Sequence, residues 1–495
     1  MRQARLLPHA WAALFATSAA ALVACGGGGD TAISAPPGQP PAAAVTFDGN
    51  VLLGAPTSDS VRISLLSAAQ SGTVSIAWGT ASGSYARQTA SYELQAGRPL
   101  VISLDGLAAD TRHYYRLDFK AAGAAASSPS PEYRFQTARP PGSRFVFTVQ
   151  ADSHLDENSD LDLYRRTLAN VAADAPDFHI DLGDTFMTEK HAEPLSATAR
   201  PAADAASVNA RYAYERGNFG LVTHSAPLFL VNGNHDAEAG WLNDGTAANL
   251  AVWATQARQR YFLNPAPDAF YSGDTSAAPF VGPRASWYAW QWGDAHFIVL
   301  DPYWNTASQP SRDPWNLTLG ESQYRWLAQT LASSTSTFKF VFVHNLVGGL
   351  DGQMRGGIEA APYYEWGGRN PDGSDGFAAR RPGWATPIHA LLVQHRVTAV
   401  FHGHDHLYAR QSLDGIVYQE VPQPSAVNFS SGPTLARDYH YASGTILSSS
   451  GHLRVRVGPA GVTAEYVRAW LPKDETAQRR NAQVDDAWSV TAPQR

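Results

Sequence analysis

From Phe145 onward, short apolar runs alternate with longer stretches whose apolar residues recur every three or four positions. The runs are FVFTVQ (145–150), DFHIDL (177–182), APLFLV (226–231), HFIVLD (296–301), FKFVFV (338–343) and VTAVFH (397–402), and the helical spacing falls over 161–175, 319–332 and 384–395. Runs so short and so apolar predict strands buried on both faces, and their alternation with helices predicts an α/β domain over 144–472. β-rich segments return near 416–421 and 445–469, and a polar tail without periodicity is expected over 473–495.

Upstream the pattern changes. Over 45–137 the runs VRISLL, TVSIAW, PLVISL, HYYRLDF and EYRFQT are separated by Gly, Ser and Asp turns with no helical period between them, which predicts a small all-β sandwich. Pro140-Pro141-Gly142 forms a stiff hinge before the second domain. Residues 26–44 are mostly Gly, Pro, Ala and Ser, too poor in large apolar side chains to fold, and read as a flexible tether. The first 25 residues pair Arg2 and Arg5 with an apolar run broken by Pro8, a pattern of an export signal rather than a spanning helix. Leu22-Val23-Ala24-Cys25 resembles the bacterial lipoprotein signal, which implies lipidation of Cys25, the single cysteine of the chain, and anchoring to the cell envelope. By the same resemblance, Gly26 after the cysteine favours the outer membrane.

Composition narrows the partners. A chain of 495 residues has room for two or three domains, and 44% hydrophobic with 11% aromatic residues supplies their cores. Mean hydropathy of -0.26 argues against a polytopic membrane protein. A net charge of -7 advertises no basic face for nucleic acid.

The chemistry gathers at the ends of the strands. The first run leads into Asp152 and His154, the second into Gly183-Asp184, the third into Asn232-Gly233-Asn234-His235-Asp236, the fifth into His344, and the sixth into His402, His404 and His406. An open α/β sheet builds its site at the carboxyl ends of its strands. Carboxylate, imidazole and amide oxygen together make a mixed set suited to Mn, Fe or Zn.

Asp-x-His, Gly-Asp, Gly-Asn-His-Asp, a lone strand-end His and Gly-His-x-His, in this order between residues 145 and 410, resemble the calcineurin-like metallophosphoesterases. The resemblance implies a four-layer α/β/β/α sandwich that hydrolyses a small-molecule phosphoester with two divalent metal ions and a bridging hydroxide as nucleophile. It places Asp152, His154 and His406 on one ion, Asn234, His344 and His404 on the other, and Asp184 between them. A shared carboxylate is physically sensible, because two cations that close repel unless anions separate them. His235 is implied to face the phosphate, with Asp236 placed to hold its ring. His402 is expected to pack or orient, and Asp405 to be second to the ligands or to face solvent.

Two further resemblances refine this. The segment 106–117 is similar to the part of fibronectin type III domains that opens strand F, with His113 where those domains usually carry Tyr. Purple acid phosphatases also join such a domain to this catalytic unit and carry a Tyr and an Arg after the last motif, as Tyr408 and Arg410 do here. Their ferric ligand, a Tyr three residues after the shared Asp, is replaced by Met187, and their first motif lacks His154. Two divalent ions without an iron–tyrosinate band are therefore expected. Substrate-facing candidates are Arg355, Tyr364, Trp366 and Arg369 in a long Gly-rich loop, with Tyr303, Trp304, Tyr408 and Arg410. The leading reading is a phosphomonoesterase. A phosphodiesterase with the same metals and a non-catalytic surface binding protein are its alternatives.

Overall fold

The computed structural model describes residues 45–156, 158–190, 201–311, 313–348 and 355–493. The signal, Cys25 and the tether lie outside them. No helix among the described residues is long and apolar enough to cross a membrane.

Residues 50–136 form two antiparallel sheets over one core. The smaller orders Asn50–Gly54, Ser60–Leu66 and Leu100–Asp105, and the larger is built on Gly72–Gly79 paired with Arg112–Ala121. The strand Arg112–Ala121 shows why. Its alternate residues His113, Tyr115, Leu117 and Phe119 are buried while their neighbours are partly exposed, so one face packs on Ile63, Ile76 and Ile102 and the other meets water. His113 sends Nε2 back to the Ala108 carbonyl at 3.3 Å and stacks on Phe135.

The rest of the chain places two large sheets face to face. One orders Leu228–Leu230, Phe178–Asp181, Phe145–Gln150, Gly451–Gly458, Gly461–Arg468 and Val484–Thr491; the first three strands run parallel and the others antiparallel. The other centres on Ala295–Val299, Phe338–Phe342, Ala399–His402 and Ile416–Glu420, all parallel. Phe147 and Phe178 of the first sheet meet Phe297 of the second edge to face, at 5.1 Å each, inside a continuous aromatic core. Helices Leu161–Ala173, Ala205–Thr223 and Leu250–Tyr261 pack on the outside of one sheet, and Glu321–Ser333 and Ile388–Gln394 on the outside of the other. The result is the α/β/β/α order.

Three elements differ from the sequence reading. The helix expected over 384–395 begins at Ile388, because Pro387 holds an extended ψ of 156° at its N-cap. Helix Ala205–Thr223 has no clear apolar stripe because Arg211, Glu215 and Arg216 are buried along with its apolar residues. The expected polar tail is instead structured: Val484–Thr491 is an edge strand of the first sheet. Its charged opening, Val484-Asp485-Asp486, hides the alternation that carries Trp488 into the core, where Nε1 donates to Gln419 at 2.8 Å.

Arg216 joins the sandwich to the catalytic sheets. Its fully buried guanidinium donates to Ser64 Oγ, to the carbonyls of Ser64 and Tyr261, and to Asn50 Oδ1, while Asn50 returns a bond to the Arg216 carbonyl. Burial lowers its pKa to about 9. Removing the side chain leaves those acceptors unpaired around a cavity, so Arg216→Ala should lower stability by about 3 kcal/mol in urea unfolding. A loss within experimental error would show that the two regions are held elsewhere.

Candidate metal centre

Asp152, His154, Asp184, Asn234, His344, His404 and His406 all follow the carboxyl ends of the parallel strands, and the structure brings the two Asp and four His side chains together. Two groups have ligand atoms within 4.8 Å of one another: Asp152 with His154 and His406, and Asp184 with His344 and His404. The groups touch. Asp152 Oδ1 lies 3.8 Å from His154 Nε2, 3.6 Å from His406 Nε2 and 3.8 Å from His344 Nε2. Asp184 Oδ2 lies 3.1 Å from His344 Nε2 and 3.7 Å from His154 Nε2, so this one oxygen reaches both groups.

The atoms turned inward are those without hydrogen bonds. Asp152 Oδ1, His154 Nε2, Asp184 Oδ2, Asn234 Oδ1 and His344 Nε2 are buried without a hydrogen bond. Buried polar atoms are rarely left unmade, and the four carboxylate and imidazole atoms among these, each 3.1 to 3.8 Å from the next, fit divalent cations. The opposite atoms of the same groups are fixed. Asp152 Oδ2 accepts from the His404 amide at 2.8 Å, Asp184 Oδ1 from the His235 amide at 2.7 Å, and His344 Nδ1 bonds the Leu182 carbonyl at 2.9 Å. Such bonds fix which face of each ligand is offered to a metal. Arg211, held by Glu215 at 3.2 Å, supports the loops from behind by donating to the carbonyls of His154 and Phe186.

Backbone strain concentrates here. Asp152, His154, Asp184, His404 and His406 all have φ between 52° and 83°, a region that costs a non-glycine residue of order 1–3 kcal/mol. Gly403 is required by close approach, since a Cβ there would stand 2.5 Å from Asp152 Oδ2.

The charges follow the geometry. Burial pushes Asp184 upward, but the charges of His344 and His235 hold it well below the usual carboxylate range. His344 is pushed up to about 9, because Asp184 and Asp152 outweigh its burial. His406 is lowered to about 3 by burial and by His154.

His402 belongs to neither group. Its Nδ1 lies 2.6 Å from Glu420 Oε2, and burial raises Glu420 well above its ordinary value while lowering His402 to about 3, so a neutral pair is favoured. Glu420 also accepts from the Asp405 amide at 3.0 Å. Asp405 does not face solvent: its carboxylate takes Arg355 on one oxygen and the Tyr441 hydroxyl on the other.

Several expected roles change. Asp236 does not hold the His235 ring. Its two oxygens accept four backbone amides, from Gly233, Asp184, Thr185 and Phe186, at 2.8 to 3.0 Å, and so fix the loop that carries Asp184. The carboxylate beside His235 is Glu189, 3.7 Å from Nδ1; together with Asp184 it raises the His235 pKa against burial. Glu189 lies outside every motif, and only folding brings it there. Tyr408 and Arg410 both engage Asp486 of the edge strand, at 2.6 and 2.7 Å, and so clamp the two sheets rather than face the metal groups. Arg355 holds the His404 carbonyl and Asp405 and stacks on Tyr439. Tyr364 packs with Trp315 and Phe377, Trp366 bonds the buried Tyr418 hydroxyl, and Arg369 is exposed. Trp304 stacks under Arg284, and Tyr303 bonds Asn345 beside His344.

Residues 145–408 match the family model of calcineurin-like phosphoesterases. The chain belongs to this family. Two solved structures share the fold of this calcineurin-like phosphoesterase. PhoD is 17% identical with a TM-score of 0.63, over 91% of this chain and 92% of that one. Purple acid phosphatase PPD1 from yellow lupin seeds is 15% identical with a TM-score of 0.56, over 90% of this chain and 74% of that one. No match was found among curated proteins. Family and site together make the protein a metal-dependent phosphoester hydrolase.

The Asp236 collar predicts a clear result. Asp236→Asn replaces one acceptor oxygen by a donor that faces amide N–H groups, and should cost about 3 kcal/mol in urea unfolding. Unchanged stability with an altered pH–rate profile would instead return Asp236 to His235.

Proposed function

We propose that this calcineurin-like phosphoesterase is a phosphomonoesterase acting outside the cytoplasm with two divalent ions. The observation that supports the two-ion centre is Asp184 Oδ2, an oxygen without a hydrogen bond within reach of both ligand groups. One ion would be held by Asp152, His154 and His406, the other by Asn234, His344 and His404, with Asp184 shared. Mn, Fe or Zn suits these donors. When bound, the ions supply Lewis-acid charge to the phosphoryl oxygens and lower the pKa of water. Met187 stands where a tyrosinate would favour ferric iron, so two divalent ions are the better fit.

The chain's own residues do the rest. The strained turns and backbone bonds hold the ligands in place before substrate arrives, which removes reorganisation from the reaction. His235 sits at the edge of the cluster, its ring 5.8 Å from that of His154. Glu189, 3.7 Å from its Nδ1, is placed to hold the ring and its proton, and His235 would donate that proton to the departing oxygen. The sandwich is read as fibronectin type III-like, supported by the His113 bond to the Ala108 carbonyl, which replaces the corner bond usually made by Tyr. The signal-like start supports export and lipidation at Cys25, with the tether linking an envelope anchor to the sandwich.

Two experiments test the reading. On an aryl phosphate monoester and the matching diester, the monoester should have the higher kcat/KM; a diester preference would make the protein a phosphodiesterase, and no turnover of either would favour a binding protein. In metal analysis, His404→Ala and His406→Ala should each lose about one equivalent, because each removes a donor from a different ion. His402→Ala should keep both, and a loss there equal to that of His404→Ala would contradict the assignment.

A further inference from the structure

A cleft of about 640 Å³ opens where the sandwich meets the foot of the first catalytic sheet. It lies at the start of Phe145–Gln150, the end of that strand away from Asp152. Four arginines line it: Arg112 from the sandwich, Arg139 and Arg144 from the connecting segment, and Arg456 from the catalytic sheet. The lining includes a single carboxylate, Asp177.

Asp177 is already engaged. It accepts from Arg139 through two nitrogens and from Trp292 Nε1 at 3.2 Å, and Arg112 lies 3.7 Å away. Arg139 also has the exposed Asp110 at 3.4 Å. Arg456 shares Glu465 with Arg454, which holds that carboxylate more closely, at 2.7 Å against 3.3 Å. The Arg144 side chain is exposed and makes no hydrogen bond or ion pair with any described residue.

A tie between the two regions through Asp177 accounts for Arg112 and Arg139. It does not account for Arg144 and Arg456, which make no pair with Asp177. In a chain of net charge -7, four guanidiniums line a cleft whose own lining holds one carboxylate, and the further partners Asp110 and Glu465 leave Arg144 uncompensated and Arg456 only weakly paired, a local excess of positive charge. Burial holds Arg112 below its ordinary value against the pull of Asp177, and the charges of Arg134 and Arg139 add to that lowering. Guanidinium forks match phosphate-type oxyanions two bonds at a time, and such an anion would relieve the repulsion.

We propose that this cleft binds a multiply charged phosphate-type oxyanion through Arg112, Arg139, Arg144 and Arg456. A soluble phosphate compound and a phospholipid headgroup share that chemistry. The site is separate from the metal groups and does not depend on what they hydrolyse.

The test compares the metal-loaded full chain with the variant Arg144→Gln/Arg456→Gln, which leaves every Asp177 contact in place. Methylenediphosphonate, which resists hydrolysis, is titrated calorimetrically into both. Wild type should show two classes of site, one at the metals and one at the cleft. The variant should keep the first and weaken the second about tenfold or more. Vesicles of anionic phospholipid are sedimented with both proteins, so that any contribution of the amino-terminal anchor cancels in the difference. A deficit of the variant on vesicles assigns the headgroup; a deficit with diphosphonate alone assigns a soluble phosphate. Identical behaviour of the two proteins with both probes overturns the proposal. If the double variant unfolds early, Arg144→Gln alone gives the same reading, since its side chain has no partner to lose.

Discussion

Asp152 and Asp184 each divide their two carboxylate oxygens between the backbone and the site, and much of the catalytic architecture serves that division. One oxygen of each is fixed by an amide, from His404 or His235, and the other is buried without a hydrogen bond among imidazoles. An unpaired buried carboxylate costs several kcal/mol. The arrangement is therefore stable only with cationic neighbours, which the histidines supply in part and divalent ions would supply in full. Left-handed backbone at five ligand positions, a glycine at 403 and the four amides gathered by Asp236 all follow from bringing several strand ends this close.

Support for this cluster comes from far along the chain. Arg211, from a helix between the third strand and the motif before it, props the His154 and Phe186 carbonyls. Glu420, on the strand beside His402, ties that histidine to the Asp405 amide, and Arg355 secures the His404 carbonyl from a loop some fifty residues earlier. The sandwich is bound to the same scaffold through Arg216. Rigidity at the ligands thus rests on buried arginines and carboxylates as much as on the aromatic core.

The residues that gather in the two groups were legible because each follows an apolar run at a spacing that strand geometry makes meaningful. The supporting residues were not, because their partners are distant in sequence. Asp236 adjoins His235 and was expected to serve it, yet a carboxylate at that turn finds four amides closer than any ring. Glu189 is near His235 only through folding. Tyr408 and Arg410 follow the last motif, but strand alternation turns both toward Asp486, in a segment whose charges masked its strand. The helix carrying Arg211 and Arg216 lacked periodicity for the same reason: its buried face is ionic.

The central claim is that two adjacent groups of orphaned ligand atoms hold two metal ions. Elemental analysis of the protein purified without chelator, and again after reloading with Mn, Fe or Zn, addresses it directly. The account predicts close to two equivalents of divalent metal per chain, with phosphoester hydrolysis lost on chelation and restored on reloading. Less than one equivalent, with no gain in metal or activity on reloading, would contradict it.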